Sequence, residues 1–201
     1  MALISKIESR APVLWGGDAV YRNFTIGPES PADSWARERL LDAVFGAARF
    51  EKSVERLRVG RKPAEGLALT AKDGARLVGT LRLWHVRAGG VPALLLGPLA
   101  VAKAFRGQGI GRALMEKALS KAVDAGHQAM LLVGDAAYYE PFGFSRRHTL
   151  SLALPGPVDK ARFLGLELTQ GALKAASGLV AASGPVNLPA RCSEIALRRA
   201  A

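Results

Sequence analysis

Arg106-Gly107-Gln108-Gly109-Ile110-Gly111-Arg112 sets three alternating glycines behind an arginine, where a strand-like run gives way to a helical stripe. Glycine has no Cβ, so this backbone can take positive φ and come close to a ligand. The amides of a helix's first turn have no partner inside the helix. With the helix dipole they form an anion site, and phosphate is its usual guest. Arg106 adds a full positive charge beside them. The alternative is an ordinary strand-to-helix turn whose glycines serve tight packing. Two common phosphate loops do not fit. A Walker A loop needs Gly-Lys-Ser/Thr, whereas Gly111 is followed by Arg112-Ala113. A dinucleotide fingerprint needs G-x-G-x-x-G, and the spacing here is G-x-G-x-G. Asp135 does follow the next apparent strand, but no second βαβ half follows the turn.

The elements around these residues can be read from their periods. Residues 1–21 are poorly patterned, with a turn at Trp15-Gly16-Gly17, and read as an N-terminal extension to a domain spanning 22–170. A short strand at 23–26 precedes a helix over 35–45, with Asp33 or Ser34 as N-cap. A second, more charged helix is expected at about 52–59, carrying Lys52, Arg56 and Arg58, with Arg61 and Lys62 beyond. Strands follow at 66–71 and 76–86, joined by a hairpin at Asp73-Gly74, and at Val91–Val101 after Gly89-Gly90. Ile110, Leu114, Met115, Ala118, Leu119, Ala122 and Val123 then form an apolar stripe at helical spacing. His127–Val133 is a buried strand parallel to the one before the helix. It leads to a short helix at 136–142, a strand at 144–154, a break at Pro155-Gly156-Pro157 and a last strand near 163–168. Residues 171–201 are a C-terminal segment of weak pattern. Three antiparallel strands, a loop and a helix make the centre of an α/β sandwich rather than a βαβ array.

The glycine stretch resembles the acetyl-CoA loop of the GNAT superfamily of N-acetyltransferases, whose pattern Arg/Gln-x-x-Gly-x-Gly/Ala is matched in full by Arg106 to Gly111. Tyr139 to Phe144 is similar to that family's Tyr-x-x-x-Gly-Phe segment, and the two motifs come in the family's order. The resemblance covers Asn23 to about Leu154. It implies a mixed central sheet flanked by helices, with a splayed pair of parallel strands holding acetyl-CoA as acetyl donor. It further implies that main-chain groups of Leu99, Ala100 and Val101 bind the pantetheine arm, and that the pyrophosphate sits on Arg106, Gly107, Gln108, Gly109, Ile110, Gly111 and Arg112. A main-chain N–H near Leu99 would polarise the thioester carbonyl. Tyr139 takes the family's acid position, and Tyr138 beside it is expected to point elsewhere. Many members carry a glutamate on the strand before the loop, but Leu94-Leu95-Leu96-Gly97-Pro98 offers none. His85, Asp135, Glu140 or a water chain to solvent stay open as the base. In the family the first two helices border the acceptor cleft.

The expected acceptor is an amine, on a small molecule or a protein. A non-catalytic acyl-CoA-binding module on the same fold is the second reading. The third, a basic nucleic-acid-associated protein, is suggested by the net charge of +11. Residues 1–65 carry 11 basic against 9 acidic side chains and the remainder 17 against 8, so the excess lies with the glycine loop, where it would draw in a polyanionic cofactor. No basic run interleaved with aromatics and no helix-turn-helix pattern supports nucleic acid as a partner. Nearly half of the 201 residues are apolar, a globular composition. A single cysteine, Cys192, rules out an intrachain disulfide and suits a reducing compartment. The start of the chain is too short in apolar residues for a signal peptide, and the run at 91–101 is too short for a membrane span. A cytoplasmic protein without a membrane partner is expected. A homodimer is left open. The three histidines are far apart in sequence, and no metal-ligand spacing occurs.

Overall fold

A computed structural model describes residues 24–187. The extension at 1–21, with its turn at Trp15-Gly16-Gly17, and Cys192 lie outside the described residues. Eight strands form the sheet: β1 (Phe24–Pro28), β2 (Ala68–Asp73), β3 (Arg76–Ala88), β4 (Val91–Val101), β5 (Ala129–Val133), β6 (Leu152–Ala153), β7 (Phe163–Glu167) and β8 (Gly178–Ala182). Its path runs β1-β2-β3-β4-β5-β7, antiparallel except between β4 and β5. β3 is long enough for two partners on one edge. Its first half pairs with β2, and its last three residues pair with β8, which in turn carries β6. Residues past 170 therefore contribute a strand to the sheet.

Alternation along the strands separates two cores. Leu81, Leu83, Leu94, Leu96, Met130, Leu132, Leu164 and Leu166 face helix α2 (Ile110–Asp124). The helix buries Ile110, Leu114, Met115, Ala118, Leu119 and Ala122 against them. Val123, expected on the same stripe, is 40% exposed at the helix end. Gly79 is where helix and sheet approach most closely: a Cβ there would stand 3.0 Å from Ile110 Cγ2 and 3.1 Å from Leu114 Cδ1. On the opposite face Trp84, Val86, Leu95, Leu131 and Phe163 pack with Leu57, Leu173 and Val180. Helix α1 (Ser34–Phe45) packs Leu40 and Leu41 against Ala100 of β4. No helix among the described residues is long and apolar enough to cross a membrane.

Two local expectations need correction, and a third holds in position but not in bonding. The charged helix at 52–59 is instead two 3₁₀ turns, Ala47–Glu51 and Ser53–Leu57, separated by an extended Lys52. Tertiary bonds hold this course: the Ser53 hydroxyl donates to the Pro157 carbonyl, and Arg56 Nη1 donates to the Pro155 carbonyl at 3.0 Å. The strand at 144–154 is reduced to a Ser145–Gly165 bridge and the two residues of β6. Between them Ser145 and Thr149 divert the backbone. The Ser145 hydroxyl accepts from the Arg147 amide, and Thr149 Oγ1 donates to the Phe163 carbonyl at 2.6 Å, closing a 3₁₀ turn over 146–149. At α1, Asp33 stands at the N-cap but makes no side-chain cap bond. Its carboxylate accepts from the Ser30 amide at 2.9 Å and pairs with Lys72 at 2.7 Å.

Candidate active site

The parallel pair is short. β4 and β5 share only Leu94↔Met130 and Leu95↔Leu131, and from Leu96 onward that edge of β4 has no strand partner among the described residues. The strands part where β4 bulges against β3, Leu83 pairing with Leu96 but Leu81 with Leu99; β4 then leads through a 3₁₀ turn at Lys103–Phe105 to the glycine loop, while β5 ends at Val133 and turns into helix α3 (Ala136–Tyr139). Between them lies a cavity of about 750 Å³, a size suited to a small-molecule ligand.

One wall is β4 from Leu96 to Val101, including Leu99, Ala100 and Val101. The floor is Arg106, Gly107, Gly109, Ile110, Gly111 and Arg112. Gly107 (φ 76°) and Gly109 (φ 78°) sit in the left-handed region, and Gly109 is the N-cap of α2. The helical ladder opens with the Ala113 amide donating to the Gly109 carbonyl at 2.9 Å, so the amides of Ile110, Gly111 and Arg112 precede the first helical bond. Of the loop residues singled out from sequence, only Gln108 does not line the cavity. Its side-chain amide folds back to donate to the Ala104 carbonyl at 3.2 Å.

The opposite wall carries Val133, Gly134, Asp135, Tyr138 and Tyr139. Tyr139 packs on Gly134 and stands edge-on to both Tyr138 (4.9 Å between centroids) and Phe144 (5.9 Å). Burial pushes its hydroxyl well above the ordinary tyrosine value. The Tyr138 side chain pushes the same way, and Arg162 works against both. Tyr138 does not turn away from the cavity as expected. Its hydroxyl stands over the first turn of α2, 2.7 Å from where a Cβ on Gly111 would be. Burial raises its pKa too, with Arg112 opposing.

The base candidates are scattered. His85 faces His127, 5.4 Å between ring centroids, and does not line the cavity; neither does Glu140. Asp135 lines it, but its carboxylate caps α3 by accepting from the Ala137 amide at 3.2 Å. Sequence reasoning missed Glu55, which lines the cavity and pairs with Arg58 at 3.0 Å, and Arg162, which carries no motif. It also missed Trp84, whose indole N–H donates to the Gly97 carbonyl at 2.6 Å and fixes the β4 wall from behind.

A mixed sheet whose parallel β4–β5 pair parts above a glycine-started helix is the architecture of the GNAT fold. The family model described as "Acetyltransferase (GNAT) family" matches residues 32–144, and the chain belongs to that family. It is 31% identical over 159 residues to the "Uncharacterized N-acetyltransferase YhbS" of Escherichia coli (strain K12), an alignment covering 77% of this chain and 93% of that one. The crystal structure of Escherichia coli YhbS in complex with CoA superposes with a TM-score of 0.67 at 28% identity, over 84% of this chain and 93% of that one. A GNAT family acetyltransferase from Brucella melitensis in complex with acetyl-CoA gives 0.57 at 26% identity, over 73% and 89%.

Proposed function

We propose that the protein transfers the acetyl group of acetyl-CoA to a primary amine by direct attack of the amine on the thioester. The observation that carries this reading is the parting of β4 and β5 directly above the free amides of α2, with Tyr139 on the far wall. Residues 107–112 offer first-turn amides to the pyrophosphate, with Arg106 and Arg112 supplying positive charge. Leu99, Ala100 and Val101 offer an unpaired strand edge to the pantetheine arm. A main-chain N–H near Leu99 donates to the thioester carbonyl oxygen as negative charge grows there.

The bound donor supplies an activated acetyl thioester. The amine must be neutral to form the N–C bond as the C–S bond breaks. Tyr139 donates its phenolic proton to the departing sulfur, and the proton lost by the nitrogen restores it. Tyr139 holds its proton at neutral pH as any phenol does, and burial makes that proton harder to give up, so transfer to the sulfur goes with the growth of negative charge there as the C–S bond breaks. The products are the N-acetylated amine and CoA thiol. We further propose the cytoplasm, which holds acetyl-CoA, as the site of action.

The test is release of CoA thiol from acetyl-CoA across a panel of amines, with mass spectrometry of the acceptor. Acetyl-CoA binding without thiol release for any amine would refute an enzyme and leave a binding module.

A further inference from the structure

The end of the cleft away from the glycine loop is cationic. Lys52, Arg58 and Arg162 line it together, although they come from an extended link, a 3₁₀ turn's end and the turn before β7. Arg49 lines the cavity too, but its charge is taken up by Glu38 at 2.5 Å and Asp42 at 2.9 Å. Of the other three, Arg58 has one carboxylate partner, Glu55. Among the described residues Arg162 and Lys52 have no carboxylate partner, and Lys52 Nζ rests 4.7 Å above the Phe45 ring. Arg58 is a built group rather than a surface one, its side chain only 9% exposed. Its Nη2 pairs with Glu55 at 3.0 Å, and its Nε donates to the Val54 carbonyl at 3.3 Å. Nη1 makes no such bond among the described residues and lies 4.0 Å from where a Cβ on Gly97 would stand, at the β4 wall.

These cations are misplaced for the phosphates of the donor. Gly97 precedes the end of β4 by four residues, roughly 13 Å of strand, and the glycine loop lies further on. Lys52, Arg58 and Arg162 line the same cavity as Tyr139, and Arg58 Nη1 faces Gly97 on the β4 wall, so the cluster borders the reacting end; the charge of Arg162 is felt at both Tyr139 and Lys52. The cluster sets three cations against the single Glu55 carboxylate, and the two left without a partner among the described residues, Lys52 and Arg162, repel a polyamine or an aminoglycoside. They also disfavour the ammonium form of any amine, which helps hold the nucleophile neutral.

We propose that the acceptor is a small amine bearing a carboxylate or phosphate, held through that anion by Lys52, Arg58 and Arg162. This rests on the acetyltransferase reading above and narrows its substrate class. The anion is held by charge-assisted hydrogen bonds in a partly desolvated site, and Arg58 supplies the buried, geometrically fixed donor.

The experiment uses the full chain and acetyl-CoA with matched acceptors: L-amino acids against their carboxamides, glucosamine 6-phosphate against glucosamine, and spermidine. The anionic member of a pair should exceed its neutral counterpart by about tenfold or more in kcat/KM, the scale of one charge-assisted bond. The amino-acid and sugar-phosphate arms distinguish carboxylate from phosphate. Arg162→Gln and Lys52→Gln should each remove most of that preference while the KM for acetyl-CoA stays within about twofold, as expected when only acceptor binding is touched. Arg162→Lys should keep part of it. Neutral amines or spermidine acetylated as well as the anions would overturn the proposal. If no amine turns over, the CoA-loaded protein is titrated calorimetrically with N-acetylglutamate, N-acetylglucosamine 6-phosphate and their neutral counterparts. Selective binding of either anion, lost in Arg162→Gln, would uphold the anion site while the enzyme reading fails. Equal binding, or none, would overturn the anion site itself.

Discussion

The ring of Tyr139 packs so closely on Gly134 that a Cβ on that glycine would overlap Tyr139 Cε2. Tyr138 and Phe144 hold the same ring edge-on from other sides. A phenol fixed by three neighbours is a positioned group, not a mobile one. Gly134→Ala should therefore push the ring off its seat. Overpacking of this kind costs about 1–3 kcal/mol, which urea denaturation would read. The turnover number should fall more than the KM for acetyl-CoA rises, since the displaced group acts on the reacting bond. Unchanged stability and turnover together would show that the ring moves aside freely and is not held for catalysis.

The glycine loop makes a separate prediction, on binding. Gly109 has φ 78° with open space around its Cβ position, so a substitution there meets backbone strain rather than a clash. A non-glycine residue in that region costs about 1–3 kcal/mol, and a β-branched one fares worst. Gly109→Val should weaken CoA at least about tenfold by calorimetry, with the circular dichroism spectrum retained, because relief of a strain of that size reorients the amides. Gly109→Asn, which tolerates the left-handed region, should lose much less. Arg106→Ala should weaken CoA more than a pantetheine analogue without phosphates, and the loss should shrink as salt rises. Equal affinity for CoA in Gly109→Val would remove the loop from the phosphate site.

The loop and Tyr139 were legible because each lies in a contiguous motif whose residue types state their own geometry: glycines for positive φ, and a tyrosine at fixed distance from Gly-Phe. The sheet was legible for the same reason. Val91–Val101 and His127–Val133 are largely apolar runs that each follow a glycine, and both contain the strands expected of them. What failed was decided by tertiary contacts. Nothing local in residues 52–59 tells that Ser53 and Arg56 will bond the carbonyls of Pro157 and Pro155 and break a helix at Lys52. Nothing local tells that Gly178–Ala182 will pair with β3. The cationic end of the cleft was half legible. Its lysine and one arginine stood in a charge-dense stretch, but Arg162 reaches them only through the fold.

Trp84 shows how the wall behind the cleft is held. Its indole N–H donates to the Gly97 carbonyl at 2.6 Å in a buried setting. Trp84→Phe would keep a ring and leave that carbonyl without its donor, at a cost of about 1–3 kcal/mol. Urea denaturation should show that loss, and the KM for acetyl-CoA should rise as Gly97 to Leu99 shift. A variant with wild-type stability and KM would mean that β4 keeps its course without the indole.

The last prediction concerns the Tyr139 hydroxyl. An ordinary tyrosine titrates near pH 10. Burial raises Tyr139 above that, Tyr138 adds to it, and the nearby Arg162 charge only partly offsets them. The folded chain thus keeps this proton at a pH where the unfolded chain releases it. Its contribution to stability is fully present below about pH 10 and is lost as pH rises towards the folded value. Tyr139→Phe should flatten that alkaline decline in denaturation experiments. With a working acceptor, the same variant should hardly change acetyl-CoA affinity but should lower turnover by about 10²–10⁴-fold, the usual worth of a general acid. Tyr138→Phe, whose hydroxyl stands over Gly111 instead, should cost much less. The wild-type rate should show no descending limb from Tyr139 below about pH 10, because the acid is still protonated there. Full turnover in Tyr139→Phe with chemistry rate-limiting would place the acid elsewhere, and Tyr138, on the same cavity, would be the next hydroxyl to remove.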